Sequence, residues 1–98
     1  MRTAITFEVP ETEAETRLKL HTNLGTVLFS QGRLQEASQE YGAALQIEPR
    51  AYLVWHNMGL VYENLGNQAR ARDAYRRALE IQPLYNDSRE GLRRLGGG

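Results

Sequence analysis

The side chains able to do chemistry are few, and their spacing decides what they can do. His21 and His56 are the two histidines, there is no cysteine, and Glu11, Glu13 and Glu15 are the densest run of carboxylates. Without a thiol there is no cysteine nucleophile, no thiolate zinc site and no disulfide framework. Three glutamates at alternate positions make no specific acid–base pair; they suit the first turn of a helix, where the macrodipole favours negative charge. The chain contains no GxSxG, no phosphate-cradling glycine loop and no H-E-x-x-H. The expectation is a non-catalytic protein with no cofactor and no metal. The basic side chains cluster at Arg70, Arg72, Arg76 and Arg77, with Arg93 and Arg94 following near the C-terminus. The first four read as a solvated helix face partly neutralised by Asp73 and Glu80, with Arg76 and Glu80 as an i, i+4 pair, or as a docking surface for an acidic partner.

Charge and size set the class. Twelve basic and twelve acidic residues cancel over 98 positions, which removes the footprint of a general nucleic-acid or anionic-membrane binder. Residues 1–49 carry four basic and seven acidic side chains, net −3, and residues 50–98 carry eight and five, net +3. One domain is expected, with a marginal core. The first twenty residues hold four glutamates and no long apolar run, so no signal peptide or spanning segment is read there, and a soluble cytoplasmic protein is the expectation.

The elements that must position these side chains follow from an internal repeat. Residues 18–51 superpose on 52–85 without a gap, and ten of the pairs are identical: Asn23 with Asn57, Gly25 with Gly59, Val27 with Val61, Gly32 with Gly66, Ala37 with Ala71, Tyr41 with Tyr75, Ala44 with Ala78, Leu45 with Leu79, Ile47 with Ile81, and Pro49 with Pro83. Helical periodicity runs through both copies. Leu20, Leu24, Val27 and Leu28 form one stripe and Leu34, Ala37, Tyr41, Ala44 and Leu45 another; Val54, Met58, Val61, Tyr62 and Ala71, Tyr75, Ala78, Leu79 repeat them. Gly32 and Gly66 separate the stripes, and Pro49 and Pro83 close each unit. The repeating element is a helix hairpin, with Gly25 and Gly59 at the crossing.

These residues resemble the tetratricopeptide repeat. Trp55, Met58, Gly59 and Tyr62 match the first-helix signature of that family, Ala71 and Tyr75 its A-x3-F spacing, and Pro83 its terminal proline. The first unit departs at His21 and Leu28, where Trp and Tyr are usual, and keeps Leu24, Gly25, Ala37, Tyr41, Ala44 and Pro49. The resemblance implies an all-α fold of antiparallel helix hairpins stacked as an α-solenoid. The expected divisions are an extended segment over 1–11, a first repeat over 12–51 with a lengthened leading helix, a second repeat over 52–85, a capping helix over 86–95 and a flexible glycine tail over 96–98. Thr12 and Glu15 form a T-x-x-E capping box at the start of the leading helix. Asn86 to Ser88 offer N-cap side chains to the capping helix, whose Leu92 and Leu95 reach inward.

The family binds partners in a concave groove lined by the first helix of each repeat. By register that groove would hold Lys19, Thr22, Asn23, Thr26, Phe29 and Ser30 from the first unit, and Leu53, His56, Asn57, Leu60, Glu63 and Asn64 from the second. Asn23 and Asn57 recur where the family often hydrogen-bonds a peptide backbone, a task suited to an amide that both donates and accepts. Phe29, Leu53 and Leu60 would make the groove partly apolar. His21 falls at a packing position and His56 toward the groove, so the two would not share a metal. One subclass clamps the C-terminal carboxylate of heat-shock chaperones, but Thr22, Thr26, Asp87 and Gly91 stand where its Lys, Asn and Arg are expected, and only Asn57 agrees. The resemblance therefore implies a scaffold binding a protein or peptide, with no nucleic acid and no membrane insertion. The alternative is a self-assembly module forming a homo-oligomer through Ile5, Phe7 and Val9, which alternate with polar residues, or through the unfinished stack.

Overall fold

The computed structural model describes residues 10–96, and among them there are five helices and no strand. They are α1 (Glu13–Ser30), α2 (Leu34–Ile47), α3 (Tyr52–Asn64), α4 (Gln68–Ile81) and α5 (Asn86–Arg94). The extended segment expected at Ile5, Phe7 and Val9 lies outside the described residues.

Helix ends sit where local chemistry puts them. The Thr12 hydroxyl accepts from the Glu15 amide at 3.0 Å, and the Glu15 carboxylate accepts from the Thr12 amide at 2.9 Å, closing a capping box at the start of α1. At the other end Gly32 takes a left-handed φ of 77°, which lets its amide reach Phe29 O at 3.0 Å and the Arg33 amide reach Leu28 O at 2.9 Å. Gly66, at φ 82°, repeats the motif after α3, with its amide on Glu63 O and that of Asn67 on Tyr62 O. Helices α2 and α4 stop ahead of Pro49 and Pro83, and Glu48 and Gln82 are drawn into extended geometry by the proline that follows. The N-cap of α5 is Tyr85, and no side chain caps it. The expected capping role of Asn86 to Ser88 is replaced for Ser88 by a buried contact with α3.

Packing proceeds along the chain, α1 on α2, α2 on α3, α3 on α4 and α4 on α5. Each hairpin closes on a glycine. A Cβ on Gly25 would lie 2.7 Å from the Tyr41 ring and one on Gly59 2.4 Å from the Tyr75 ring, so only hydrogen fits at either crossing. Gly91 of α5 meets Tyr75 from the other side, at 2.6 Å for the same hypothetical atom. One core joins Leu28, Ala37, Tyr41, Ala44 and Leu45 to Val54, Met58, Val61 and Ala74; a second gathers Ala71, Tyr75 and Leu92 beneath α5. The stripe expected on α1 divides. Leu28 is buried, but Leu20, Leu24 and Val27 are 62%, 46% and 49% exposed because no earlier helix in the described residues covers them as α2 covers α3.

Candidate functional site

Helical geometry gives α3 two opposed working faces. Leu53, Asn57, Leu60 and Asn64 fall on one side, and Trp55, Met58 and Tyr62 on the other. The first side, together with α1, is the surface expected to bind a peptide.

On α1, Lys19 is exposed with its ammonium 3.3 Å from Glu11 Oε1. The Thr26 hydroxyl donates to Thr22 O at 3.1 Å and shares a 2.9 Å hydrogen bond with the Tyr41 hydroxyl, so Thr26 ties the surface to the first hairpin's core. Phe29 is half-buried against that core, and the Ser30 hydroxyl turns back to Val27 O at 2.7 Å. Asn23 is exposed and Asn57 half-buried, and neither amide hydrogen-bonds another described residue. Leu53 is 51% exposed beside them in register. Asn64 is exposed and donates to Leu60 O at 2.8 Å.

Helix α5 takes up part of the second unit's share of the expected groove. His56 is buried: its Nδ1 lies 2.9 Å from Ser88 Oγ, and its ring centroid is 5.3 Å from those of both Tyr75 and Tyr85. Burial pushes its pKa below the usual histidine range, with the Asp87 carboxylate pulling the other way. Leu60 is half-buried against the cluster of Tyr75 and Leu92, so His56 is withdrawn from the surface and Leu60 is only partly shown there. Glu63 is also occupied. Its carboxylate accepts from the Tyr75 hydroxyl at 2.6 Å and from Arg94 Nη2 and Nε at 2.8 and 3.0 Å, and Arg94 holds it below the usual carboxylate range. Burial and the Glu63 carboxylate push the Tyr75 hydroxyl far up. These contacts fasten the cap to α3, while Lys19, Asn23, Thr26, Leu53 and Asn64 stay exposed on the same surface and Asn57 half-buried among them.

The opposite side of α3 forms a groove of about 650 Å³. Trp55, Met58 and Tyr62 floor it, while Arg70, Asp73, Arg76, Arg77 and Glu80 of α4 wall it. The Trp55 indole donates to Pro49 O at 2.8 Å, which sets the ring. Arg77 lies over Trp55 at 5.4 Å from its centroid and Arg70 over Tyr62 at 5.7 Å. The expected Arg76–Glu80 pair is not formed; Arg77 takes Glu80 at 3.4 Å and Arg76 reaches Asp73 at 4.0 Å, because the i, i+3 partners lie closer. Arg72 is half-buried and does not line this groove. The aromatic floor was legible only as packing, since an i, i+3, i+7 stripe carries no mark of being open on one side.

His21 Nδ1 is 2.7 Å from Glu40 Oε1, which ties α1 to α2. No group of three metal-ligating side chains comes together among the described residues, and none of their helices is long and apolar enough to cross a membrane.

Known proteins share this pattern. A profile of the TPR repeat matches residues 25–66, and one of the tetratricopeptide repeat matches 52–85. Tetratricopeptide repeat protein 7A of Homo sapiens is 34% identical over 68 residues, 69% of this chain and 8% of that protein. Photosystem I assembly protein Ycf3 of Sorghum bicolor is 35% identical over 82 residues, 78% of this chain and 47% of its own length. The peroxisomal targeting signal receptor of Kluyveromyces lactis is 25% identical over 84 residues, 86% of this chain and 14% of the receptor. The chain thus spans less than half the length of each of these relatives. With its two hairpins, their glycine crossings and these matches, the chain belongs to the tetratricopeptide repeat family.

Proposed function

We propose that this chain is a non-catalytic binding module that holds an extended protein segment across α1 and α3. Repeats of this family mediate protein–protein interaction. The observation that carries the finer reading is the pair Asn23 and Asn57, one repeat apart, whose amides have no hydrogen-bond partner among the described residues. A half-buried amide such as Asn57 gains from a backbone that offers it a donor and an acceptor. Leu53 supplies an apolar contact next to it, and Lys19 a cation at the α1 end. Two of the relatives carry names of the same kind, an assembly protein and a receptor for a targeting signal, which agrees with a segment-binding role. The test is a peptide-display selection on the intact chain, followed by binding to the Asn57→Ala variant. Selected peptides should lose about tenfold in affinity. Equal affinity for the two proteins would overturn this use of the α1–α3 face.

A second reading rests on Leu20, Leu24 and Val27, which present an apolar stripe along α1. Two copies could bury it against each other as a closed pair. The stripe is short beside the roughly 800 Å² per partner of a stable dimer, so the association would be weak and concentration-dependent. Light scattering over a dilution series checks it: Leu24→Glu should abolish any mass above that of the monomer, and a constant monomer mass for the parent chain rejects it.

A further inference from the structure

We infer that the groove between α3 and α4 is a second binding site, distinct from the α1–α3 face, and that its occupant is an acidic peptide segment carrying one apolar side chain. Three observations carry this. The floor is Trp55, Met58 and Tyr62, a thioether between two aromatic rings, which suits the insertion of an aliphatic or aromatic side chain. The walls are basic. A smaller hollow of about 260 Å³, bounded by Pro49, Arg50 and Ile81, shares Arg77 and Glu80 with the larger one, so the two form one run. Along it Arg50, Arg70, Arg76 and Arg77 face Asp73 and Glu80, an excess of two positive charges in a chain whose total is zero.

These guanidinium groups are available and held in place. Arg50 and Arg70 form no ion pair among the described residues, and the pairs of Arg76 and Arg77 are exposed contacts at 4.0 and 3.4 Å of the kind that contributes little. Arg70 and Arg77 rest on the Tyr62 and Trp55 rings, and Trp55 is itself fixed by Pro49 O, so each planar fork is oriented before a ligand arrives. Carboxylates spaced along a peptide can meet such forks and pass Asp73 and Glu80 with neutral positions. A nucleic-acid backbone cannot, because its phosphates are continuous and those two carboxylates repel them.

The site contains its own reporter, since Trp55 is the single tryptophan. A short synthetic peptide of glutamates with one central leucine is titrated into the intact chain at low salt while Trp55 emission is followed. A saturable change is expected, with no response to the matching lysine peptide and weaker binding as salt is raised. Arg70→Gln, which leaves the Trp55–Arg77 stack untouched, should weaken binding about tenfold. Arg77→Gln should do so as well, followed by calorimetry because the stack on the reporter is altered, with the far-ultraviolet circular dichroism unchanged. Absence of a saturable change, equal binding of the lysine peptide or of an oligodeoxythymidine, or full affinity in Arg70→Gln would each overturn the assignment. Asn57→Ala should leave this binding intact, so loss of the α1–α3 reading and loss of this one are separable.

Discussion

Leu20, Leu24 and Val27 stand one repeat before Val54, Met58 and Val61, yet the first three are 62%, 46% and 49% exposed and the last three 4%, 8% and 0%. The two stripes have the same helical spacing and similar side chains. What differs is a neighbour: α2 lies on α3, and no described helix lies on α1 from that side. At the other end of the stack, α5 buries Ser88, Gly91 and Leu92 inward, ties Arg94 back to Glu63 and leaves Arg89, Glu90 and Arg93 exposed. Among the described residues one end is apolar and uncovered, and the other is polar and capped by α5. A hydrophobic stripe in a repeat thus records what a helix can bury, and only its neighbour decides whether it does.

The largest effect that would sharpen this contrast comes from truncating equivalent residues in the two units. Met58→Ala should cost about 2–5 kcal/mol of unfolding free energy, the range for a buried side chain that leaves a cavity. Leu24→Ala should stay within about 0.5 kcal/mol. Urea unfolding of both variants measures this directly, and a Leu24→Ala cost close to that of Met58→Ala would mean that the α1 stripe is covered in solution.

Next in size is the glycine crossing of the second hairpin. Gly59→Leu should cost about 1–3 kcal/mol through overpacking, since even a methyl would meet the Tyr75 ring. An unchanged melting temperature would misplace the crossing.

Removal of the cap at the α1 end should matter less. Thr12→Ala removes the hydroxyl that accepts from the Glu15 amide, leaves the residue 12 amide on the Glu15 carboxylate, and should cost about 1 kcal/mol, read as loss of helicity and of amide protection confined to the first turns of α1.

The smallest effect is a pH dependence that belongs to the α5 end. His56 is buried between α3 and α5 with its pKa lowered, so the unfolded chain binds a proton that the fold resists. Stability is therefore full above the unfolded histidine value of about 6.5 and declines as pH falls from there toward the folded value. Unfolding midpoints between about pH 7.5 and 5.5 should decline in the parent chain, and His56→Gln should flatten that part of the profile. A profile as steep in the variant would assign the loss to another group.

Much of the fold was legible because it is written twice. Gly25 and Gly59, Gly32 and Gly66, and Pro49 and Pro83 each mark a backbone requirement, a close approach, a left-handed turn or a stop, that few other residues meet. The site was legible in part. The side-chain amides of Asn23 and Asn57 have no hydrogen-bond partner among the described residues, whereas His56 and part of Leu60 are taken up by α5, because its packing through Ser88 and Leu92 depends on a long-range contact that local spacing does not encode. Arg76 and Arg77 were recognisable as a charged group, whereas their choice of Asp73 and Glu80 depends on side-chain reach at i, i+3. Trp55 and Tyr62 matched a packing signature, and the same rings floor an open groove because α2 packs on α3 without reaching across it to α4.

The central claim is that a partner segment lies across α1 and α3, and nuclear magnetic resonance mapping with a display-selected peptide tests it most directly. The side-chain amides of Asn23 and Asn57 should shift on titration while the Leu20 and Leu24 methyls stay in place. Shifts confined to the Trp55 indole, or to the α1 methyls, with both asparagine amides unmoved, would contradict it.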